Sequence, residues 1–294
     1  MRVAYLLLAA WHVAAADWLQ EAKQRGAALE TGFHWAEAAG VYESALTRLG
    51  AAGPRAEGPP AEGAPAESAH AESLHAESVR EERFWLLTSL VEIAFERQDY
   101  TAARGWLRQA EDTLRDVGRD TPARVRLLNA WGTLHLVEGN LTAAEQELSR
   151  AVEMSEWLAA PSDLAAALHN LAAVEMHTGR LRDATANETK ALTIWRQQFG
   201  DRHYYVMKAL ISLSSLQGLS GEWRAAEVSL QKALGIAETP EALANYSVVL
   251  EKLKRGKEAR EIRRKIHLPM PAPAPFADVK AMPLERERTQ VRTR

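Results

Sequence analysis

The 294-residue sequence contains no cysteine. This absence excludes disulfide bonds, thiol catalysis and thiolate metal sites. Other enzymatic signatures are missing too, since the sequence has no G-x-S-x-G, no H-E-x-x-H, no P-loop and no G-x-G-x-x-G. The nine histidines are scattered along the chain. We therefore expect a protein that is not an enzyme and that holds neither a cofactor nor a metal ion.

Isoleucine, phenylalanine and tyrosine are scarce, whereas alanine is abundant. This balance favours helix over sheet. A strong excess of one charge is also absent, because the net charge is only −3. Residues 251–294 nevertheless carry 13 Lys/Arg against 6 Asp/Glu, which leaves −10 on the rest of the chain. This basic end could meet an acidic partner, or it could be a solvated last helix with a loose tail.

Long apolar runs are rare. One apolar stretch, Val3–Val13, follows Met1-Arg2 and precedes an A-x-A cleavage motif in Ala14–Ala16. This order predicts a signal peptide over residues 1–16 and export to the periplasm or the exterior. The alternatives are a buried first helix of the fold and a cytoplasmic location. Residues 268–294 are rich in proline and then in charge, so we expect an unfolded tail there.

Alanine recurs at regular intervals. Several segments share a turn glycine, a large apolar residue and two alanines seven residues apart. The alanines of the clear copies are Ala144 and Ala151, Ala184 and Ala191, and Ala226 and Ala233; weaker copies place Ala38 and Ala45, Ala103 and Ala110, and Ala259. Small residues suit closely crossing helices, and glycine suits a left-handed helix cap. The pattern therefore predicts tandem helix pairs.

These segments resemble the tetratricopeptide repeat, in which helix A reads W/L-x2-L-G-x2-Y and helix B reads A-x3-F-x2-A. The small and apolar positions fit, but the aromatic positions depart from the family pattern. The residues at those aromatic positions are His135, Glu175 and Gln217 in helix A, and Leu148, Glu188 and Leu230 in helix B. Successive clear copies lie 40 to 42 residues apart, which resembles the long-period type of kinesin light chain and many bacterial proteins.

The resemblance implies an all-α fold: a right-handed α-α superhelical solenoid of about six helix pairs. Its A helices would line a concave groove. The resemblance to long-period repeats, in an alanine-rich chain with an export signal, also favours a bacterial source.

The step from Ala38 to Ala103 is 65 residues. Removing five tandem pentapeptides, Ala56–Arg80, reduces this step to 40. We interpret residues 50–80 as a low-complexity, partly disordered insertion after a first helix pair over 17–49. Repeats 2 to 6 are then predicted over 81–267.

The insertion itself divides into two parts. The copies rich in glycine and proline, from Gly50 to Pro65, are expected to be disordered or extended. The later copies lack both residue types and could extend the following helix. A binding role for His70 and His75 is the alternative to a plain insertion.

The resemblance also implies a binding surface on the A helices. In the family, an asparagine there commonly bonds the backbone of an extended peptide, because an amide both donates and accepts hydrogen bonds. The corresponding groove residues are Thr88, Glu92, Asn129, Thr133, His169, Asn170, Ala173, His177, Lys208, Ser212, Ser215 and Asn245. For each of them a plain solvated helix face is the alternative.

The sequence thus predicts a non-enzymatic scaffold that binds a protein or peptide partner in its groove. Nucleic acid is not expected as a partner, because aromatic and basic residues do not form a stacking platform. The alternative function is an accessory or regulatory subunit of an enzyme or envelope complex. Such a subunit would dock through the basic C-terminal helix or the tail.

Overall fold

The computed structural model describes residues 17–30, 34–52, 66–115 and 121–266. Every regular element in these ranges is an α-helix, as the composition predicts. The predicted signal peptide and the predicted unfolded tail lie outside the described residues.

The helices fall into two compact units, Met1–Arg119 and Asp120–Arg294. The first unit contains α1 (17–30), α2 (Trp35–Ala52), α3 (Ala66–Glu96) and α4 (Tyr100–Thr113). The second contains α5 (Pro122–Val137), α6 (Leu141–Trp157), α7 (Pro161–His177), α8 (Leu181–Phe199), α9 (Tyr204–Leu219), α10 (Trp223–Leu234), α11 (Pro240–Lys252) and α12 (Gly256–Ile266). Consecutive helices of the second unit pack against one another, and α5, α7, α9 and α11 also contact each other in turn. The prediction of an α-solenoid built from helix pairs is confirmed.

The turn from helix A to helix B repeats with the same geometry. Gly139, Gly179 and Gly221 have φ values of 78° to 79°. After each glycine, the next backbone N–H donates to a carbonyl five residues earlier at 2.8 Å, which is the Schellman arrangement. Gln98 and Lys254 occupy this left-handed position in the second and sixth pairs, with φ values of 58° and 63°. The predicted glycine caps are therefore confirmed in the clear copies.

The alanines of the repeat pattern lie where the helices pack most closely. All eleven are buried, with no more than 4% of any of them exposed. Their burial is the reason for the pattern: a larger side chain would push the paired helices apart.

Two glycines also allow a close approach between paired helices. A Cβ atom placed on Gly132 would lie 2.5 Å from Cγ of Leu148. A Cβ atom on Gly26 would collide with the ring of Tyr42 in the same way. Each glycine lies sixteen residues before the large side chain that fills its space.

In the pentapeptide region the prediction is wrong at Gly50, whereas the extension of the following helix by the later copies is confirmed. Helix α2 continues to Ala52, so Gly50 is helical and not disordered or extended; two alanines follow it before the next glycine and proline. Helix α3 begins at Ala66, so the last copies belong to the helix that enters the second pair. Val79, in the final copy, packs against the core of the first unit. Residues 53–65 lie outside the described residues.

Candidate partner-binding face

The twelve predicted groove residues all lie on A helices, namely α3, α5, α7, α9 and α11. Ten of them are buried, whereas Glu92 is half-buried and His177 is exposed. The alternative of a plain solvated helix face is therefore wrong for those ten. Their role in binding stays a prediction, and their burial raises the question of what each polar group contacts.

Three of the predicted residues form one cluster between α5 and α7. Nδ2 of Asn170 donates to Oδ1 of Asn129 at 3.0 Å and to Oγ1 of Thr133 at 3.1 Å. The Thr133 hydroxyl in turn donates to the backbone carbonyl of Asn129 at 2.8 Å. The cluster thus links the A helices of two successive pairs.

A second cluster surrounds Glu188, which the groove prediction did not include. Nδ1 of His169 lies 2.9 Å from both carboxyl oxygens of Glu188, and the Ser212 hydroxyl donates to Oε2 at 3.0 Å. Glu188 is 0% exposed. The sequence did hold a signal for this cluster, because Glu188 stands where the family has a large aromatic residue. A carboxyl group at such a core position requires polar partners.

The Ser–His–Glu set does not form a catalytic triad. The Ser212 hydroxyl donates to Glu188, so it is not directed to the imidazole of His169. A serine nucleophile is activated when an adjacent base accepts its proton. The carboxyl group of Glu188 lies between the Ser212 hydroxyl and the His169 imidazole and contacts both. The cluster therefore joins α7, α8 and α9 as a structural contact.

The remaining predicted residues do not join these clusters. Nζ of Lys208 lies 3.7 Å from a carboxylate oxygen of Glu241, which links α9 to α11. The Thr88 hydroxyl donates to the backbone carbonyl of Phe84 at 3.0 Å, and that of Ser215 to Ile211 at 3.3 Å. Ala173 packs in an apolar cluster with Leu136 and Leu148.

Several buried polar atoms on the A helices of the second unit lack a hydrogen-bond partner among the described residues. Three of these atoms belong to the predicted groove residues, namely Nδ2 of Asn129, Nε2 of His169 and Nδ2 of Asn245. A buried polar group left unpaired costs about 1–3 kcal/mol, and most such groups in folded proteins are paired. The three atoms are therefore the groups on this face that have most to gain from a ligand.

The described residues offer little for other kinds of site. They contain no group of three or more potential metal-ligating side chains. None of the described helices combines the length and the hydropathy needed to cross a bilayer.

Comparison with known proteins identifies the repeats. Residues 163–239, which run from α7 to the residue before α11, match the family model of the tetratricopeptide repeat. Residues 163–239 are therefore a tetratricopeptide-repeat segment. This result confirms the resemblance that the alanine pattern suggested. No curated protein matches the chain in sequence.

Solved structures share the tetratricopeptide-like fold at low sequence identity. BtubC (BKLC) from P. vanneervenii is 17% identical, with a TM-score of 0.55, covering 72% of this chain and 92% of BtubC. A Rap protein complexed with Competence and Sporulation Factor is 16% identical, with a TM-score of 0.58, covering 83% of this chain and 62% of the Rap protein. The apo form of RapI is 13% identical, with a TM-score of 0.52 and coverage of 84% of both chains. These likenesses show the fold alone.

Proposed function

We propose that this chain is a non-catalytic scaffold that holds an extended segment of a protein or peptide partner along α5, α7, α9 and α11. The observation that carries this proposal is the set of unpaired buried atoms on Asn129, His169 and Asn245. Each residue of an extended chain presents one N–H and one C=O, and asparagine amides can bond both. A Rap protein of similar fold, crystallised with Competence and Sporulation Factor, supports binding by this architecture.

Burial of these residues implies that binding is coupled to a movement of neighbouring A helices. The Asn170–Asn129 bond would be exchanged for bonds to the partner backbone as α5 and α7 separate. Repeat arrays allow such adjustments because each repeat contacts only its neighbours. The apparent affinity is then lowered by the fraction of molecules in the open state. We therefore expect binding to be slower than diffusion of the partner alone would allow.

The test begins with the chain from Asp17 as bait, with mass spectrometry of the bound proteins. The dissociation constant of any captured partner is then measured for the parent and for Asn245→Ala. We expect this change to weaken binding by about fivefold, since a buried hydrogen bond is worth about 1 kcal/mol. It should leave the melting temperature unchanged or higher, because it removes an amide nitrogen that lacks a hydrogen-bond partner among the described residues.

The matched control is Asn187→Ala, because the Asn187 amide is already bonded to Glu175 at 2.9 Å. This variant should lose stability and keep the partner. Equal binding by Asn245→Ala and the parent would move the site away from the A helices. Failure to capture any partner would count against the scaffold function itself.

Export remains a proposal that rests on residues 1–16. N-terminal sequencing of the protein from its native source checks it, with a mature chain that begins at Asp17 as the expected result.

A further inference from the structure

The last described helix, α12, carries five basic and two acidic residues. Basic residues at its edges are neutralised by carboxylates. Arg255, just before the helix, bonds to Glu227 and Glu258. Arg263 pairs with Glu251 at 2.5 Å, and Lys265 lies 3.4 Å from Glu238.

A second set of basic residues on α12 lies apart from these ion pairs. Lys257, Arg260 and Arg264 are exposed, and none of the three has an ion-pair partner among the described residues. Spacings of three and four residues place them on one face of the helix. We call these three residues the basic stripe; at 1.5 Å per residue it is about 10 Å long.

The need for a polar surface at the end of the repeat array explains only part of the basic stripe. A terminal repeat needs a polar outer face, but charges of either sign would provide it. The basic stripe has one sign, and it belongs to a chain whose residues before 251 carry a net charge of −10. Its uncompensated charge is therefore a property that a complementary partner can recognise.

The surroundings of the stripe favour a polypeptide partner over a membrane or a nucleic acid. An interfacial helix needs an exposed apolar face, but Ile262 and Ile266 are half-buried on the opposite side of α12. Three cations also fall well short of the roughly 6–10 phosphate contacts of a typical DNA-binding protein.

We infer that the basic stripe docks an acidic helical segment of a partner protein, with carboxylates at matching spacings of three and four residues. This contact is separate from the A-helix face and does not depend on binding there. Because all three cations are exposed, the interaction should be fast and sensitive to salt.

The experiment uses a labelled, alanine-rich helical peptide that carries three glutamates at the spacing of the stripe. Its affinity for the chain from Asp17 to Arg294 is measured by fluorescence anisotropy at low and at physiological salt. The variant Lys257→Gln/Arg260→Gln/Arg264→Gln should bind on the order of tenfold more weakly at low salt. The variant Arg182→Gln/Arg224→Gln/Lys232→Gln makes the same change in charge at three other exposed sites and should bind like the parent.

Three results would overturn the inference. Equal binding by the two triple variants would show that only net charge matters. If removal of residues 267–294 abolished binding while the stripe variant bound like the parent, the contact would belong to the tail. Tighter, stripe-dependent binding of duplex DNA or of phosphatidylserine vesicles would replace the acidic helix with a phosphate partner. The Asn245→Ala chain serves as a further check, since it should bind the acidic peptide normally.

Discussion

At the scale of the residue, Glu188 takes a place that its neighbours give to apolar side chains. It lies four residues after Ala184, as Leu148 follows Ala144 and Leu230 follows Ala226. A buried carboxyl group without partners would cost several kcal/mol. His169 and Ser212 provide the missing contacts, so the polar cluster replaces the apolar contact that leucine makes in the adjoining pairs.

Glu175 offers a test of how burial acts on a single carboxyl group. Burial raises the pKa of Glu175, and the hydrogen bond from Asn187 opposes that rise. The folded chain therefore binds a proton at this site more readily than the unfolded chain does. The proton bound at Glu175 therefore stabilises the fold fully at pH values below the pKa that this residue has in the unfolded chain. This stabilisation is lost as the pH rises through the higher pKa of the folded chain.

We accordingly expect Glu175→Gln to melt about 2 °C higher than the parent at pH 7. The amide still accepts the bond from Asn187 and carries no charge to desolvate. The difference should shrink as the pH falls from about 7 towards about 4, because the raised pKa of Glu175 lets the parent carboxyl group take up its proton within this range more readily than an exposed glutamate does. Melting curves between these pH values check it, with the exposed Glu153→Gln as the control; a constant difference across the range would contradict the assignment.

Residue-scale features differ in how far they can be read from sequence. Burial of the repeat alanines follows from their period, because a small residue every seven positions marks one helix contact. The bonds that Glu175 and Gln217 make are harder to predict. Each pairs at 2.9 Å with a side chain twelve residues later, Asn187 or Ser229. That spacing has meaning only once the length and geometry of the turn between the helices are known.

At the scale of the element, the packing of a helix pair depends on contacts between the backbone of one helix and a side chain of the other. Gly132 brings α5 close to α6, and Leu148 fills the space that a Cβ atom would take. Glycine normally weakens a helix interior by up to about 1 kcal/mol relative to alanine. Its presence in α5 is therefore explained by packing.

Two glycine-to-alanine changes separate packing from helix propensity. Gly132→Ala should destabilise the chain by about 1–3 kcal/mol, since the new methyl group meets Leu148. Gly105→Ala, in α4, should stabilise it by up to about 1 kcal/mol, because no atom lies within 4 Å of the added carbon. Urea denaturation measures both. Combining Gly132→Ala with Leu148→Ala should cost less than the sum of the two separate losses, because the two groups occupy the same space. Equal effects of Gly132→Ala and Gly105→Ala would refute the packing account.

Helix ends show where the element-scale prediction falls short. In the clear copies, the glycines predict the left-handed turns from the sequence. Gln98 and Lys254 adopt the same turn without glycine, so tertiary packing and the Schellman bonds impose it there. The burial of the residues on the A-helix face could not be predicted in this way. Sequence position places a residue on a helix face, but it does not say which neighbouring elements cover that face.

At the scale of the whole molecule, the pentapeptides interrupt the period of the repeats without interrupting the helix that follows. A five-residue period does not match 3.6 residues per turn, so it cannot keep one apolar face along α3. Within the described side chains of the last copy, Val79 is the residue that packs on the core of the first unit. The tandem copies are nevertheless similar enough to replace one another at that position.

Deleting one pentapeptide from within α3 tests this equivalence. Removal of Ala76–Arg80 moves Leu74 to the place of Val79 and His75 to the place of Arg80, while residues 81–96 keep their positions in the helix. We expect a loss of less than about 1.5 kcal/mol in urea denaturation, because an apolar side chain of similar size returns to the same contact.

Removal of Arg83–Leu87, five residues without a tandem copy, instead places Glu81 and Glu82 where the fully buried Leu86 and Leu87 stood. That second deletion should unfold the first unit, since unpaired buried carboxylates cost several kcal/mol each. If both deletions were equally damaging, α3 would require its full length and the copies would not be interchangeable.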